Sequence, residues 1–354
     1  MAFNRVLNNY RLIFLIFALA IPGCAGTLWS YRVSAPFDGM EKAVFGNGIT
    51  LIARENPKSP SAAFQVWFRV GSADETPETA GISHFIEHLL FKGTAERGPG
   101  KFDEEIAFMG GTLNGATSKD YTYYHLVVPA EHFEKAADGI MDSVLNPLFD
   151  ENEMGRERLV VLQELNRQQD NPRQVLLNLL SAGAYLSHPY GRPVLGYKET
   201  VEKATPESVL AYYRHHYRPS CMVIAVSGAF DKKSLIKKLS SLPHAAPAAA
   251  SGPCPPRNAG SIASINPANV TGRRNVKQAY IAMGWLAPEI TNGETCAMDV
   301  LTTIMGDGRS SRLYRVLKEK ARLCTNIAAS YATMRLPSLF TVSAECAPED
   351  VERL

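Results

Sequence analysis

In the stretch GISHFIEHLLFKGT, two histidines and a glutamate (His84, Glu87 and His88) interrupt an otherwise apolar helical run. Residues four apart stack on one face of a helix, so His84 and His88 can aim ring nitrogens at a common point. Glu87, three after His84, lies beside them. Two neutral imidazoles as ligands, a nearby carboxylate as base and an open position for water are what metal-assisted hydrolysis requires. The competing reading is plainer: both histidines are packed and hydrogen-bonded, and Glu87 is solvated. With 8 histidines in the chain, the pattern arises by accident in about one such sequence in a hundred.

Two histidines do not complete a metal site, so a third ligand must come from elsewhere. The run MGRERLVVLQELNRQQ offers Glu157 and Glu164, whose spacing of seven puts them on one helical face two turns apart, with Val160 and Val161 making that face apolar. A carboxylate there is costly unless a cation or hydrogen-bond donors meet it. A metal would meet it, and so would salt bridges to Arg156, Arg158 or Arg167. Glu151, Glu153 and Asp170 fall near the helix ends and read as exposed or terminal charges.

Around these residues the pattern predicts mixed helices and strands. AVFGNGITLIARE reads as a hairpin turning at Asn47-Gly48, and SAAFQVWFRVGSADE as a strand. AGISHFIEHLLFKG reads as a helix stopped near Lys92-Gly93, FDEEIAFMGG as another, and TLNGATSKDYTYYHLVVP as a strand pair. Helices are predicted over 130–145, 151–169 and ESVLAYYRHHY, and a buried strand at CMVIAVSG. The absence of regular βαβ alternation points to an α+β fold. The segment rich in Ala, Pro, Ser and Gly at 243–260 reads as a linker. Beyond it QAYIAMG repeats the pattern of QVWFRVG, and a helix, a second helix (SRLYRVLKEK), two strands and a helix opened by Pro348 follow in the same order. This predicts a duplication: a first domain over 38–242 and a second over 261–354 that lacks the last helices and strand of the first.

In order along the chain, GISHFIEHLLFKGT, GGTLNGATSKDYTYY, ERLVVLQELNRQQDNP and HPYGRPVLGYKETV, and more weakly GRSSRLYRVLKEK, resemble the pitrilysin and insulysin family of zinc peptidases. These are the inverzincins, with a His-x-x-Glu-His motif; the family includes the mitochondrial processing peptidase and short bacterial members. The resemblance implies duplicated processing-peptidase-like α/β domains and one Zn²⁺ per chain, held by His84, His88 and Glu164. It makes Glu87 the catalytic base and gives Glu157 the place of a carboxylate that orients a ligating imidazole. It also implies that the strand beginning near NGAT pairs with an extended substrate, making Asn114 a peptide contact, although Asn114 equally suits a turn after Gly110-Gly111. Gly115 stands where the family usually has alanine.

Family members carry Arg and Tyr in a second-domain segment like LREKxxLxY that reaches the substrate carbonyl. Here the segment reads LKEKARLCT, so Lys318 replaces the arginine as a substrate contact and Thr325 the tyrosine. A homologous partner subunit supplying Arg and Tyr is therefore expected. The expected function is zinc-dependent endopeptidase action on extended or unfolded peptides, with Glu87 taking the water proton and passing it to the leaving amine. The alternatives are a non-catalytic or partner-dependent peptide-binding subunit, and a zinc-binding envelope protein without turnover. His125, His132, His188, His215 and His216 match no ligand position and read as surface or packing residues.

Composition bounds the partners. The 354 residues are 45% hydrophobic and 20% charged, enough for a substantial core. The 37 basic and 35 acidic residues leave a formal charge of +2 with no Lys/Arg block, so nucleic acid is not expected as a partner. The first 26 residues place Arg5 and Arg11 before the apolar run LIFLIFALAI and the small residues PGCAG, with a signal peptide expected over 1–24. The run falls short of the roughly 20 residues of a membrane span and reads as a secretory signal peptide, with an uncleaved anchor as the alternative. Cys24 follows a lipobox-like Ile21-Pro22-Gly23, in which Pro22 is the mismatch, and is a candidate lipid anchor. The expected location is exported: periplasmic or membrane-anchored in a bacterial envelope. The other five cysteines form no CxxC pair, so no cysteine zinc site is expected; in an oxidising compartment some would pair, leaving at least one free.

Overall fold

The computed structural model describes residues 32–37, 39–242, 253–257 and 260–354. The signal peptide assigned to 1–24, with Cys24, lies outside the described residues, as does most of the linker assigned to 243–260.

The alternating apolar runs form a mixed sheet. β1 (Arg32–Phe37), β2 (Met40–Val44), β3 (Thr50–Glu55), β4 (Ser61–Phe68), β5 (Thr112–Thr117), β6 (Thr122–Pro129) and β7 (Met222–Gly228) lie in the order β1-β2-β3-β7-β4-β6-β5. The predicted Asn47-Gly48 turn joins β2 to β3, with Gly48 at φ +90°. Asn47 is buried and ties the turn down by donating to the Leu239 and Leu242 carbonyls. β3 runs parallel to β7, while β4, β6 and β5 are antiparallel neighbours, which leaves β5 as an edge. Period-two patterning sorts the faces. Phe64, Val66 and Phe68 of β4, Tyr124 and Leu126 of β6, and Ile224 of β7 are buried on one side.

The helices of the first half are α1 (Ile82–Leu89), α2 (Lys101–Phe108), α3 (Phe133–Leu145), α4 (Glu151–Asp170), α5 (Pro172–Tyr185), α6 (Lys198–Lys203), α7 (Pro206–His216) and α8 (Lys232–Ser241), and all but α5 cover that side. Apart from α5, which packs elsewhere, their apolar stripes join the sheet face in one core containing Phe85, Ile86, Leu89, Phe133, Ile140, Val161 and Val209. Side-chain caps open α4, α5, α7 and α8, and the first two bear on the site. The Asp150 carboxylate accepts the Asn152 and Glu153 amides ahead of α4. Asn171 closes α4 and caps α5 by accepting the Arg173 and Gln174 amides, with Pro172 at the first helical position. The sequence pattern does not predict α5, because its long apolar run PRQVLLNLLSAGAY lacks a clear polar face.

The second half repeats the path. β8 (Ala279–Ala287), α9 (Thr295–Gly306), β9 (Asn326–Tyr331) and β10 (Ser338–Cys346) give a sheet in the order β8-β10-β9, matching β4-β6-β5. SRLYRVLKEK forms the expected second helix, in π-helical form over Tyr314–Lys320, but the helix expected at Pro348 needs correction: Pro348 opens only a 3₁₀ turn, Pro348–Asp350. α5 packs on β8. Nearby, Tyr185 and Tyr190 share an apolar cluster with Ile262, Leu336 and Leu339, so the two sheets are bridged by packed side chains.

Candidate metal centre

α1 crosses α4 on the helical side of the sheet, beside the edge strand β5. This crossing turns a sequence pattern into a site. α1 buries Phe85, Ile86 and Leu89 in the core and directs His84 and His88 toward α4. On α4 the buried stripe is Met154, Glu157, Val161 and Leu165. The expectation that Val160 shares the glutamates' apolar face is corrected: Val160 is 41% exposed, since 100° per residue carries it off the stripe. Glu164 stands at the margin of the stripe with its side chain partly open to solvent.

His84 Nε2 and His88 Nε2 lie 3.5 and 3.6 Å from the same oxygen, Glu164 Oε2. One donor atom from each of the three residues can be chosen so that all lie within 4.8 Å of one another. Ligands about 2.05 Å from a tetrahedral ion stand about 3.3 Å apart, so these donors fit a single zinc-sized ion with small adjustments. The imidazoles suit the task. Burial, with His88 adding to it, pushes His84 down to about 3, which keeps the ring neutral and its lone pair available. His88 Nδ1 faces Glu157 Oε2 at 3.2 Å, and Lys92 Nζ holds Glu157 Oε1 at 2.9 Å. That pairing makes Nδ1 the protonated nitrogen and leaves Nε2 directed at Glu164. The salt bridges expected as the alternative for Glu157 and Glu164 do not form with the arginines named: Arg156 pairs with Glu153, and Arg158 donates to the Val201 and Ala204 carbonyls.

Glu87 lies on the β5 side of α1. Thr117 Oγ1, on β5, donates to its Oε2 at 2.5 Å. Burial pushes its carboxyl up, against the lowering pull of Thr117 and His88, and Glu164 raises it further. A carboxyl whose proton affinity is raised, held next to a metal-ligand cluster, is placed to take and return a proton. Gly115 explains how β5 comes so close: a Cβ there would stand 3.1 Å from Glu87 Cγ and from Tyr124 Cδ1.

The remaining sequence-derived residues are dispersed. Asn114 is on the exposed edge strand, opposite His125 of β6, and its side-chain oxygen accepts the Gly115 amide at 2.9 Å. Lys318 lies in the π-helical turn with its ammonium 4.8 Å from the Tyr314 ring centre, and its described contacts include none of the metal-centre residues. Thr325 Oγ1 accepts from Gln278 and donates to the Glu345 carbonyl. Of the histidines set aside, His125 stacks on Tyr123, His188 accepts the Tyr190 amide, and His216 is pushed down to about 4, mainly by burial. The sequence reading missed Lys92, Thr117 and Glu75. Lys92, four after His88 on the continuation of α1, carried a signal in its spacing; Thr117 and Glu75 carried none.

Two family models match the chain: Insulinase (Peptidase family M16) over residues 50–198, and Peptidase M16 inactive domain over 203–354. The metal-centre residues all lie in the first match. Curated relatives include an uncharacterized zinc protease of Bacillus subtilis, 30% identical over 310 residues that make up 87% of this chain and 74% of the relative. Another, from Streptomyces coelicolor, is 31% identical over 317 residues, 88% of this chain and 69% of that one. Among solved structures, a protease from Helicobacter pylori shares the fold with a TM-score of 0.78 at 23% identity, over 89% of this chain and 77% of that one. A peptidase M16 inactive domain structure from Pseudomonas fluorescens gives a TM-score of 0.76 at 19% identity, over 88% and 75%.

Proposed function

The chain belongs to the insulinase (M16) family of zinc peptidases, and from that premise we propose that it is a zinc-dependent endopeptidase acting on extended or unfolded peptides. The observation that carries the reading is the convergence of His84 Nε2 and His88 Nε2 on Glu164 Oε2, from helices far apart in sequence. His84, His88 and Glu164 would hold the ion, and the Glu157–Lys92 pair keeps His88 in the required tautomer. A bound zinc supplies Lewis acidity toward a carbonyl oxygen and lowers the pKa of water. Glu87 accepts the proton of the attacking water and delivers it to the leaving amine, with Thr117 holding the carboxyl in place. The exposed edge of β5, reaching Glu87 through Thr117, offers main-chain groups to an extended peptide near Asn114.

The test compares wild type with Glu87→Gln. Both are expected to bind one zinc per chain. The variant should cleave an unstructured peptide about 10²- to 10⁴-fold more slowly. Equal cleavage by the two proteins, or no zinc on wild type, refutes the reading.

A second reading, partner-dependent cleavage, is favoured by Lys318 and Thr325, which are engaged within their own half of the chain. It predicts that wild type loaded with zinc cleaves only after a homologous subunit carrying the Arg/Tyr pair is added. Export to a bacterial envelope completes the proposal. It rests on the N-terminal segment and on the disulfide Cys221–Cys254, a bond that persists in oxidising compartments.

A further inference from the structure

α1 is two turns long, and His84 sits in its first turn. Its N-terminus has no cap of its own. The residue before it is Gly81, at φ +93°, with no side chain to accept the free amides. The acceptor comes from upstream. Glu75, only 4% exposed, accepts the Gly81 amide at Oε2 (2.8 Å) and the Ser83 amide at Oε1 (2.9 Å). Glu75 is itself fixed, because its main-chain carbonyl accepts from Arg192 Nη2 at 2.5 Å.

The same turn is pressed from the other side. A Cβ on Gly81 would stand 2.5 Å from the Leu195 carbonyl oxygen, and one on Gly196 would collide with the Ala80 carbonyl. Thr200 Oγ1 donates to that Ala80 carbonyl at 2.5 Å, and the Ser83 hydroxyl meets Tyr212 Oη at 3.0 Å. Burial pushes the Glu75 carboxyl up to about 7 even with two amides bound to it. Core packing therefore gives no reason for an acid at this position.

We infer that Glu75 is a positioning residue of the metal centre: its carboxyl group fixes the first turn of α1 and thereby the direction from which His84 and His88 approach Glu164. This rests on the metal-centre reading above. A helix turns about 100° per residue, so disorder at Gly81–Ser83 passes directly into His84. Ligand sites tolerate only about 0.5 Å or 10–20° of misplacement.

The experiment measures zinc affinity by competition with a chelating dye, alongside the thermal midpoint. It uses wild type, Glu75→Gln, Glu75→Asp and a control, Leu239→Ala, which opens the core at α8 away from α1. Glu75→Gln presents an NH₂ to one of the two amides, and Glu75→Asp is too short to reach both. Each should lose about tenfold or more in zinc affinity, the range seen when groups that orient ligands are removed. Leu239→Ala should lower the midpoint at least as far and keep wild-type affinity. Wild-type zinc affinity in both Glu75 variants overturns the inference, and so does an equal loss in Leu239→Ala. Absence of zinc from wild type overturns the metal-centre reading itself, and this inference with it.

Discussion

At the scale of the residue, the carboxylates near the two histidines are separated by what they touch. Glu164 reaches both Nε2 atoms, Glu157 reaches His88 Nδ1 and Lys92, and Glu87 reaches neither ring but is held by Thr117. If Glu157 orients His88, Glu157→Gln should lower zinc affinity about 10-fold while leaving the ion bound at high concentration, measurable by dialysis against graded free zinc. Loss of all zinc binding would instead make Glu157 a ligand. Glu75 gives a pH prediction. Its folded value is raised from 4.5 to about 7, so the folded protein holds a proton there that the unfolded chain releases. The stability it contributes is full below pH 4.5 and is lost as pH rises through 7, by up to about 3 kcal/mol. Thermal midpoints of wild type should fall more between pH 5 and pH 8 than those of Glu75→Gln; parallel curves would refute the assignment.

At the scale of the element, α4 is the longest helix of the site and must stay rigid from its cap to Glu164. Asp150 satisfies two of its opening amides. Asp150→Ala should cost about 1 kcal/mol in chemical denaturation while zinc affinity stays unchanged, because Glu157 and Glu164 lie two and four turns inside. A fall in affinity would mean that the whole helix shifts when its end frays. β5 acts differently: as an edge strand it carries Thr117 to Glu87 and keeps one side unpaired.

At the scale of the whole molecule, residues 253–257 are fastened to the first half of the chain. Cys254 is bonded to Cys221, and Arg257 pairs with Asp74 and Asp120. Asp120 also accepts the Tyr190 hydroxyl and the Arg335 amide, so one carboxylate joins the sheet of the first half, the incoming segment and a loop of the second half. The disulfide closes a loop with a sequence separation of 33. Cys254→Ser should therefore destabilise the protein by about 3 kcal/mol, read as a shift in denaturant midpoint that reductant reproduces in wild type and does not add to in the variant.

The sequence alone determined what is local and periodic. Four-residue spacing placed His84 and His88 on one face, alternation marked the strands, Asn47-Gly48 marked the hairpin, and the seven-residue spacing selected Glu157 and Glu164. These follow from backbone geometry that every helix or strand shares. What the tertiary structure decided is which groups meet across space: Glu157 with Lys92, Glu87 with Thr117, Glu75 with the open end of α1, and Val160 turned outward. Those pairings depend on how α1, α4 and β5 settle against one shared sheet. The spacing of residues within a segment carries no record of the angle at which it crosses another, and only packing of the whole core fixes that angle.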